Sequence, residues 1–205
     1  MYRRLVATLG DRREMDIAGD RSPPTRLRTL KTAELTDAEI VVTRELMRAA
    51  FWDEDEDERF TDDDWAHALG GVHVVLELHG EIVSHAAVVE RELHVADTPL
   101  RTGYVEAVAT APAHQGQGYG TLVMTAVDAI IRDGFELGAL GTGRHGFYER
   151  LGWETWAGPT FVRTAAGPRR TPDEDGYILV LRTPTSPPLD MTAPISCDWR
   201  PGDVW

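Results

Sequence analysis

Hydrophobic positions along the chain recur with a period of two in some stretches and of about 3.6 in others, which separates strands from helices. An alternating stretch at Arg26–Thr32 predicts a first strand. Thr36 and Asp37 then begin an amphipathic helix, since both residue types favour helix N-termini. A second helix begins at Thr61, which forms a capping box with Asp64.

The middle of the chain predicts strands followed by a change of period. Val72–Leu78 and Glu81–Leu93 are strands joined by a tight hairpin at His79-Gly80. Another strand runs from about Thr102 to Ala111. After the turn at Pro112 the period changes to that of a helix, which ends near Gly134. Further elements are a strand at 137–140, a helix at 146–151, and strands near 161–164 and 177–181. This order indicates an α/β chain, in the α+β sense of a mixed sheet with helices on its faces.

Residues 1–25 show neither period and end in Ser22-Pro23-Pro24, a sequence that breaks regular structure. We therefore expect a basic, flexible N-terminal arm at residues 1–25 and one domain at residues 26–205. Hydrophobic residues make up 42% of the chain. A domain of this size buries roughly 70% of its unfolded surface.

Composition excludes several classes of protein. Charged residues are 27% of the total. They leave no apolar run of roughly 18 residues, the length that a membrane span needs. The start of the chain does not look like a signal peptide, and we expect a cytoplasmic location. The single cysteine, Cys197, excludes an internal disulfide and a multi-cysteine zinc site. The seven histidines show no metal-ligand spacing, so we expect no metal and treat them as structural or surface residues.

Charge is unevenly distributed: residues 1–31 carry a net charge of +4 and the remainder −17. An acidic body repels nucleic acid and anionic lipid and attracts cations. A polycationic substrate is one interpretation, and an acidic protein with no charged partner is the other.

The segment with the clearest chemistry is the strand Gly103–Thr110, followed by Gln115–Gly120 and an amphipathic helix. Closely spaced glycines let the backbone approach a phosphate, and the helix N-terminus adds partial positive charge. The loop has neither the lysine of a P-loop nor the spacing of a dinucleotide fingerprint. The alternative is a plain glycine-rich turn.

Two motifs resemble the GNAT superfamily of acetyl-CoA-dependent N-acetyltransferases. Gln115–Gly120 resembles the Arg/Gln-x-x-Gly-x-Gly/Ala signature, and Tyr148–Trp153 resembles the second motif. Over residues 26–205, the chain is similar to the aminoglycoside 2'-N-acetyltransferases within that superfamily. The narrower resemblance rests on Asp64-Trp65, Gly70-Gly71, Gly103–Glu106, Arg170–Asp173, Cys197–Arg200 and Gly202–Trp205.

This resemblance implies a GNAT-type fold, with a central, mostly antiparallel sheet, a splayed parallel pair and flanking helices. It also implies a homodimer and acetyl-CoA as cofactor. The backbone N–H of Val108 would bind the thioester oxygen. The implied cofactor-binding residues are Val108, Ala109, Thr110, Gln115, Gly116, Gln117, Gly118, Tyr119 and Gly120.

Acetyl transfer needs a base for the amine and a proton for the departing thiolate. Glu106 lies between apolar residues of its strand, where a carboxylate is costly without a partner. Placed on the same strand face as Tyr104 and Val108, it could take the ammonium proton, directly or through water. The alternative is a glutamate on a solvated face. Tyr148 is the superfamily's usual general acid, since a phenol suits a thiolate leaving group; the alternative is a packed aromatic. An acyl-cysteine route through Cys197 is disfavoured, since no local histidine could serve as its base.

Substrate binding should rest on acidic groups. The resemblance implies a set consisting of Asp64, Glu106, Ala107, Gly141, Glu174, Asp203 and the terminal carboxylate of Trp205. Glu174 departs from the family's run of three aspartates. The predicted function is 2'-N-acetylation of aminoglycosides by direct transfer, which confers resistance. The alternatives are acetylation of another small cationic amine, such as a cell-wall amino sugar or a polyamine, and a non-catalytic acyl-CoA-binding module.

Overall fold

The computed structural model of the chain describes residues 15–16, 25–52 and 59–205. The helices are α1 (Asp37–Ala50), α2 (Asp62–His67), α3 (Tyr119–Gly134) and α4 (His145–Glu149). The strands are β1 (Met15–Asp16), β2 (Thr25–Lys31), β3 (Val72–Leu78), β4 (Glu81–Val95), β5 (Thr98–Thr110), β6 (Leu137–Gly141), β7 (Glu154–Thr155), β8 (Thr160–Thr164), β9 (Gly167–Arg170), β10 (Ile178–Arg182) and β11 (Ile195–Asp198).

Within these ranges the strands form one mixed sheet in the order β1-β2-β3-β4-β5-β6-β10-β7. Neighbours along this path are antiparallel except β5 and β6. The long strand β4 pairs with β3 through its first half and with β11 near its end, and β11 continues to β8 and β9. The predicted mostly antiparallel sheet with helices on its faces is confirmed.

The parallel pair opens at the centre of the sheet. β5 and β6 pair only from Thr102 to Tyr104 on β5, so the last six residues of β5 are not paired with β6. This confirms the predicted splayed pair. The sheet is therefore open beside the end of β5, where Glu106 lies.

Each face of the sheet has its own apolar core. Helix α3 buries Val123, Met124 and Val127 on one face, in the cluster that contains Val105. On the other face, α1 contributes Met47 and α2 contributes Trp65. None of the helices in the described ranges has the length and apolarity that a membrane crossing requires.

Local sequence signals account for most of the elements. Thr36 and Thr61 form the two predicted capping boxes, with Glu39 and Asp64. Three short strands of the second half, β7, β9 and β11, are absent from the prediction, because two to four residues hold too little period to detect. The predicted arm lies outside the described residues apart from β1, which pairs with β2, and Thr25.

A β-bulge corrects one expectation about β5. The register against β4 shifts between His85 and Ala87, so that one residue of β4 faces both Ala107 and Val108. Ala107 has φ of 50°, in the left-handed region. This conformation costs an L-residue about 1 kcal/mol. Val108 therefore packs in the cluster of Val105 on the α3 face. The expectation that Val108 shares a face with Glu106 is wrong.

Candidate active site

Glu106 lies immediately before the bulge, beside the opening between β5 and β6. Its side chain is 14% exposed, and Arg200 donates a hydrogen bond of 2.6 Å from Nη1 to its Oε1. Burial raises the pKa of Glu106, and the Arg200 charge offsets only part of that rise. A buried carboxylate with a raised pKa is suited to accepting a proton from a bound amine.

Two arginines hold the tail, residues 199–205, over this carboxylate. Arg200 also donates to the main-chain oxygen of Asp203, at 2.7 Å. Arg91 of β4 donates to the main-chain oxygens of Val204, at 2.8 Å, and Asp198, at 3.1 Å. The sequence indicates no role for either arginine, since nothing local shows that β4 and the tail meet.

The tail brings Trp205 to the mouth of the splayed strands. Its indole nitrogen donates to the Thr171 hydroxyl at 3.1 Å, and its ring is buried. A Cβ added at Gly141 would lie 3.8 Å from the carbonyl carbon of Trp205 and 3.6 Å from the Tyr104 hydroxyl. The structure therefore brings the predicted residues Gly141 and Trp205 together beside the Tyr104 hydroxyl.

Carboxylates converge on this point. Burial raises the pKa of Glu174, and the negative charges of Asp203 and Asp173 raise it further. The charge of Asp203 also raises the pKa of Glu106. Like charges at short range in a partly buried site favour a cationic ligand, which relieves their repulsion. Glu174, the residue that departs from the family pattern, is therefore close to Asp203.

Asp64 caps the helix on which it stands. Its Oδ2 accepts the backbone N–H of Thr61 at 2.7 Å and the Thr61 hydroxyl at 2.8 Å, as a capping box requires. Helix α2 meets the tail where the His67 ring contacts the oxygen of Pro201 at 2.8 Å. Asp64 thus belongs to a helix that touches the tail, and one of its two oxygens is engaged in the cap.

The glycine loop on the other side of β5 is shaped for an anion. Gly116 and Gly118 have φ of 73° and 86°, in the left-handed region. Glycine adopts this region without strain. Side-chain amides of Gln115 and Gln117 donate to the carbonyls of Thr110 and Ala113, which folds the loop onto itself. In the described part of the chain, the backbone N–H groups of residues 116–121 donate to no protein acceptor. They lie at the N-terminus of α3 and can bind phosphate oxygens.

Tyr148 lies on α4 close to this loop. A Cβ added at Gly120 would approach the Phe147 ring to 3.5 Å, so α4 and the loop are neighbours. The Tyr148 ring packs edge-on against Phe147, with 4.9 Å between centroids, and burial raises its pKa to about 12. The hydroxyl makes no hydrogen bond with any residue that the structure describes. It is therefore a protonated phenol, free to donate to a thiolate.

Cys197 is fully buried on β11. Its thiol donates to the main-chain oxygen of Val204 at 3.2 Å, and burial raises its pKa. A buried, protonated thiol is a poor nucleophile. The described residues also contain no cluster of three or more His, Cys, Asp and Glu side chains that could hold a metal ion.

Comparisons with known proteins show the family of the chain. The model of the GNAT acetyltransferase domain family matches residues 31–156. A curated aminoglycoside 2'-N-acetyltransferase from Mycolicibacterium fortuitum is 49% identical over 150 residues, which are 71% of this chain and 77% of the relative.

Solved structures share the fold. A GNAT family N-acetyltransferase from Escherichia coli in complex with CoA gives a TM-score of 0.60 at 15% identity, over 88% of this chain and 93% of its own. A GCN5-related N-acetyltransferase from Kribbella flavida gives 0.53 at 21% identity, and the match covers 66% of this chain but only 34% of that longer one. The chain belongs to the GNAT family of acetyltransferases, which take their acetyl group from acetyl-CoA.

Proposed function

We propose that the chain transfers the acetyl group of acetyl-CoA directly to the 2'-amine of an aminoglycoside antibiotic. The observation that carries the proposal is the group of partly buried carboxylates around Glu106, beside the opening between β5 and β6. The relative named aminoglycoside 2'-N-acetyltransferase supports the choice of acceptor.

On the acceptor side, Glu106 takes the proton that the ammonium group must lose before it can attack. Asp64, Glu174 and Asp203 hold the other ammonium groups of the polycation by charge. The Ala107 and Gly141 backbones and Trp205 complete the binding surface. Arg200 Nη1 already donates a hydrogen bond of 2.6 Å to Glu106 Oε1, so an incoming cation competes with Arg200 for this carboxylate.

On the donor side, the Gln115–Gly120 loop binds the pyrophosphate of coenzyme A, and the cofactor lies along Val108–Thr110. The Val108 N–H polarises the thioester carbonyl. The amine nitrogen attacks that carbonyl, the C–N bond forms and the C–S bond breaks, and the Tyr148 hydroxyl gives its proton to the departing sulfur. The nitrogen loses its second proton as the amide forms, and a proton returns to the Tyr148 phenolate to restore the hydroxyl. The products are the amide and free coenzyme A, with no covalent enzyme intermediate.

The regiochemistry tests the acceptor. We expect kanamycin B, which has a 2'-amine, to be acetylated at least about 100-fold faster than kanamycin A, which has a 2'-hydroxyl, since a misplaced nucleophile costs about this factor. Both polycations suit the acidic site, so the difference lies in the reacting group. Comparable rates, or a product acetylated elsewhere by NMR, would contradict the 2' assignment and leave the acetyltransferase assignment intact.

The loop provides a test of cofactor binding. Gly118 is a poor target, because its positive φ strains any substitution. We expect Gly120→Val to weaken CoA binding by about tenfold or more in calorimetry, since hydrogen bonds to a charged group are each worth about 1.5–3 kcal/mol. Gly134→Val, at the open far end of α3, is the matched control and should bind CoA normally. Equal affinities in the two variants would remove the pyrophosphate assignment.

The alternative acceptor and the oligomeric state are tested separately. The acidic site would also suit a polyamine, so spermidine is the comparison acceptor in the kanamycin assay. Faster turnover of spermidine would favour a general cationic amine as substrate. We expect a homodimer, and analytical ultracentrifugation measures whether the protein sediments as a dimer or as a monomer.

A further inference from the structure

Two histidines are buried side by side beneath the bulge. His73 of β3 and His85 of β4 are both fully buried, and His73 Nδ1 lies 2.9 Å from His85 Nε2. Trp65 of α2 covers them, with its ring 6.0 Å and 6.1 Å from the two imidazole centroids. Two polar rings in an apolar core are costly unless their nitrogens are all engaged.

All four ring nitrogens make hydrogen bonds, which form one continuous hydrogen-bond chain. His73 Nε2 lies 2.8 Å from the Thr32 hydroxyl, and His85 Nδ1 lies 2.8 Å from the carbonyl oxygen of Ala107. This hydrogen-bond chain therefore runs from Thr32, directly after β2, to Ala107 in the bulge of β5.

The hydrogen positions in this chain follow from its last member. A carbonyl oxygen only accepts, so His85 must carry its proton on Nδ1. Its Nε2 then accepts from His73 Nδ1, and His73 Nε2 accepts from Thr32. Burial lowers the pKa of His73 to about 4 and of His85 to about 3, so both rings stay neutral at physiological pH. Every donor points towards Ala107.

Ala107 is the residue on which the active-site geometry depends. Its φ is 50°. This value is unfavourable for alanine and persists only where the surroundings enforce it. The bulge turns the chain between Glu106 and Val108, the proposed base and the proposed thioester ligand. A donor fixed on the Ala107 carbonyl therefore acts on both groups at once.

We propose that His73 and His85 are positioning residues for acetyl transfer, which hold the Ala107 bulge so that Glu106 and the Val108 N–H face the reacting atoms. The inference rests on the proposed function of those two groups. The histidines pass no proton to the substrate, because their hydrogen-bond chain ends at the carbonyl oxygen of Ala107. Their contribution is to geometry.

The kinetic test compares two replacements of His85. His85→Leu removes the donor, whereas His85→Asn places an amide N–H near the position of Nδ1. We expect His85→Leu to lower kcat by about 100-fold, the cost of a shift of about 1 Å at reacting groups. We expect His85→Asn to recover most of that loss. In both variants the affinity for CoA should change much less than kcat, because the Gln115–Gly120 loop that holds the pyrophosphate is not part of this hydrogen-bond chain.

Thr102→Val is the matched control for lost stability. It removes another buried hydrogen bond of β5, from the Thr102 hydroxyl to the Leu100 carbonyl, and should change kcat little. If His85→Leu and Thr102→Val have the same kcat, or if His85→Asn is as slow as His85→Leu, the positioning role is wrong. Loss of activity in Glu106→Gln verifies the proposed function separately.

A second measurement needs no variant. We expect ¹⁵N NMR of the imidazoles at neutral pH to show both rings neutral and protonated on Nδ1, which is the less common tautomer of free histidine. A proton on Nε2 of His85 would leave the Ala107 carbonyl without its donor and would overturn the proposal, even if His85→Leu fails to fold.

Discussion

Glu106→Gln is expected to lower kcat/KM for the amine by about 100- to 10,000-fold, the range that general base catalysis commonly contributes. Glutamine keeps the shape of the side chain and an oxygen for Arg200, so the tail should stay in place. What is lost is the ability to accept a proton. CoA affinity should not change, since the loop lies on the other side of β5.

Glu90→Gln is the matched control for this variant. Glu90 on β4 forms an ion pair with Arg101 on β5, at 2.9 Å, and both side chains are more than half exposed. Exposed pairs contribute little, so this variant should have normal kinetics. Full activity of Glu106→Gln would mean that another group or water takes the ammonium proton.

The pH dependence of kcat/KM tests the assignment of Glu106 as the base in a second way. Glu106 acts as a base only when ionised, so kcat/KM falls as the pH drops through its pKa. Burial raises that pKa, and the Arg200 charge lowers it again in part. Arg200→Gln should therefore move the acidic limb of the profile to higher pH. A limb that stays in place, or moves to lower pH, would assign it to a different group.

Tyr148→Phe is expected to lower kcat by about 100- to 10,000-fold while leaving both KM values nearly unchanged, since the hydroxyl is needed only when the thiolate leaves. The ring packing against Phe147 and Trp153 survives this change. Because burial raises the pKa of Tyr148 to about 12, the phenol remains protonated across any practical assay range. Tyr148 should therefore contribute no basic limb to the profile.

Tyr177→Phe is the control for Tyr148. Tyr177 lies beside α4, with its ring 6.2 Å from that of His145, and is half exposed. Its loss should leave kcat unchanged. If Tyr148→Phe turns over at the full rate, water protonates the leaving sulfur.

Local patterns predicted the elements that carry the chemistry. The two capping boxes, the His79-Gly80 hairpin and the strand-loop-helix at β5 and α3 each follow from a few neighbouring residues. The Gln115–Gly120 loop could be assigned because its shape depends on glycines within the motif itself.

Contacts between distant segments could not be predicted in this way. Arg91 and Arg200 meet the tail only because β4 is long enough to pair with both β3 and β11. The bulge at Ala107 leaves no mark in the alternation of β5, so the face of Val108 was misassigned. The contact of His73 with His85 could not be predicted either, because a regular hairpin at residues 79 and 80 would place the two side chains on opposite faces of the strands. The register shift between Leu76 and Glu77 sets His73 opposite Ala87, which makes His85 its diagonal neighbour.

The buried thiol of Cys197 has a practical consequence for measuring all of these rates. Every turnover releases one free thiol, that of coenzyme A, and a chromogenic disulfide reagent detects thiols as thiolates. The protein's single cysteine is inaccessible to solvent, and its pKa is raised by burial. Folded enzyme should therefore add almost no background to a continuous colorimetric assay, and a slow rise in absorbance without acceptor would report unfolding of a variant.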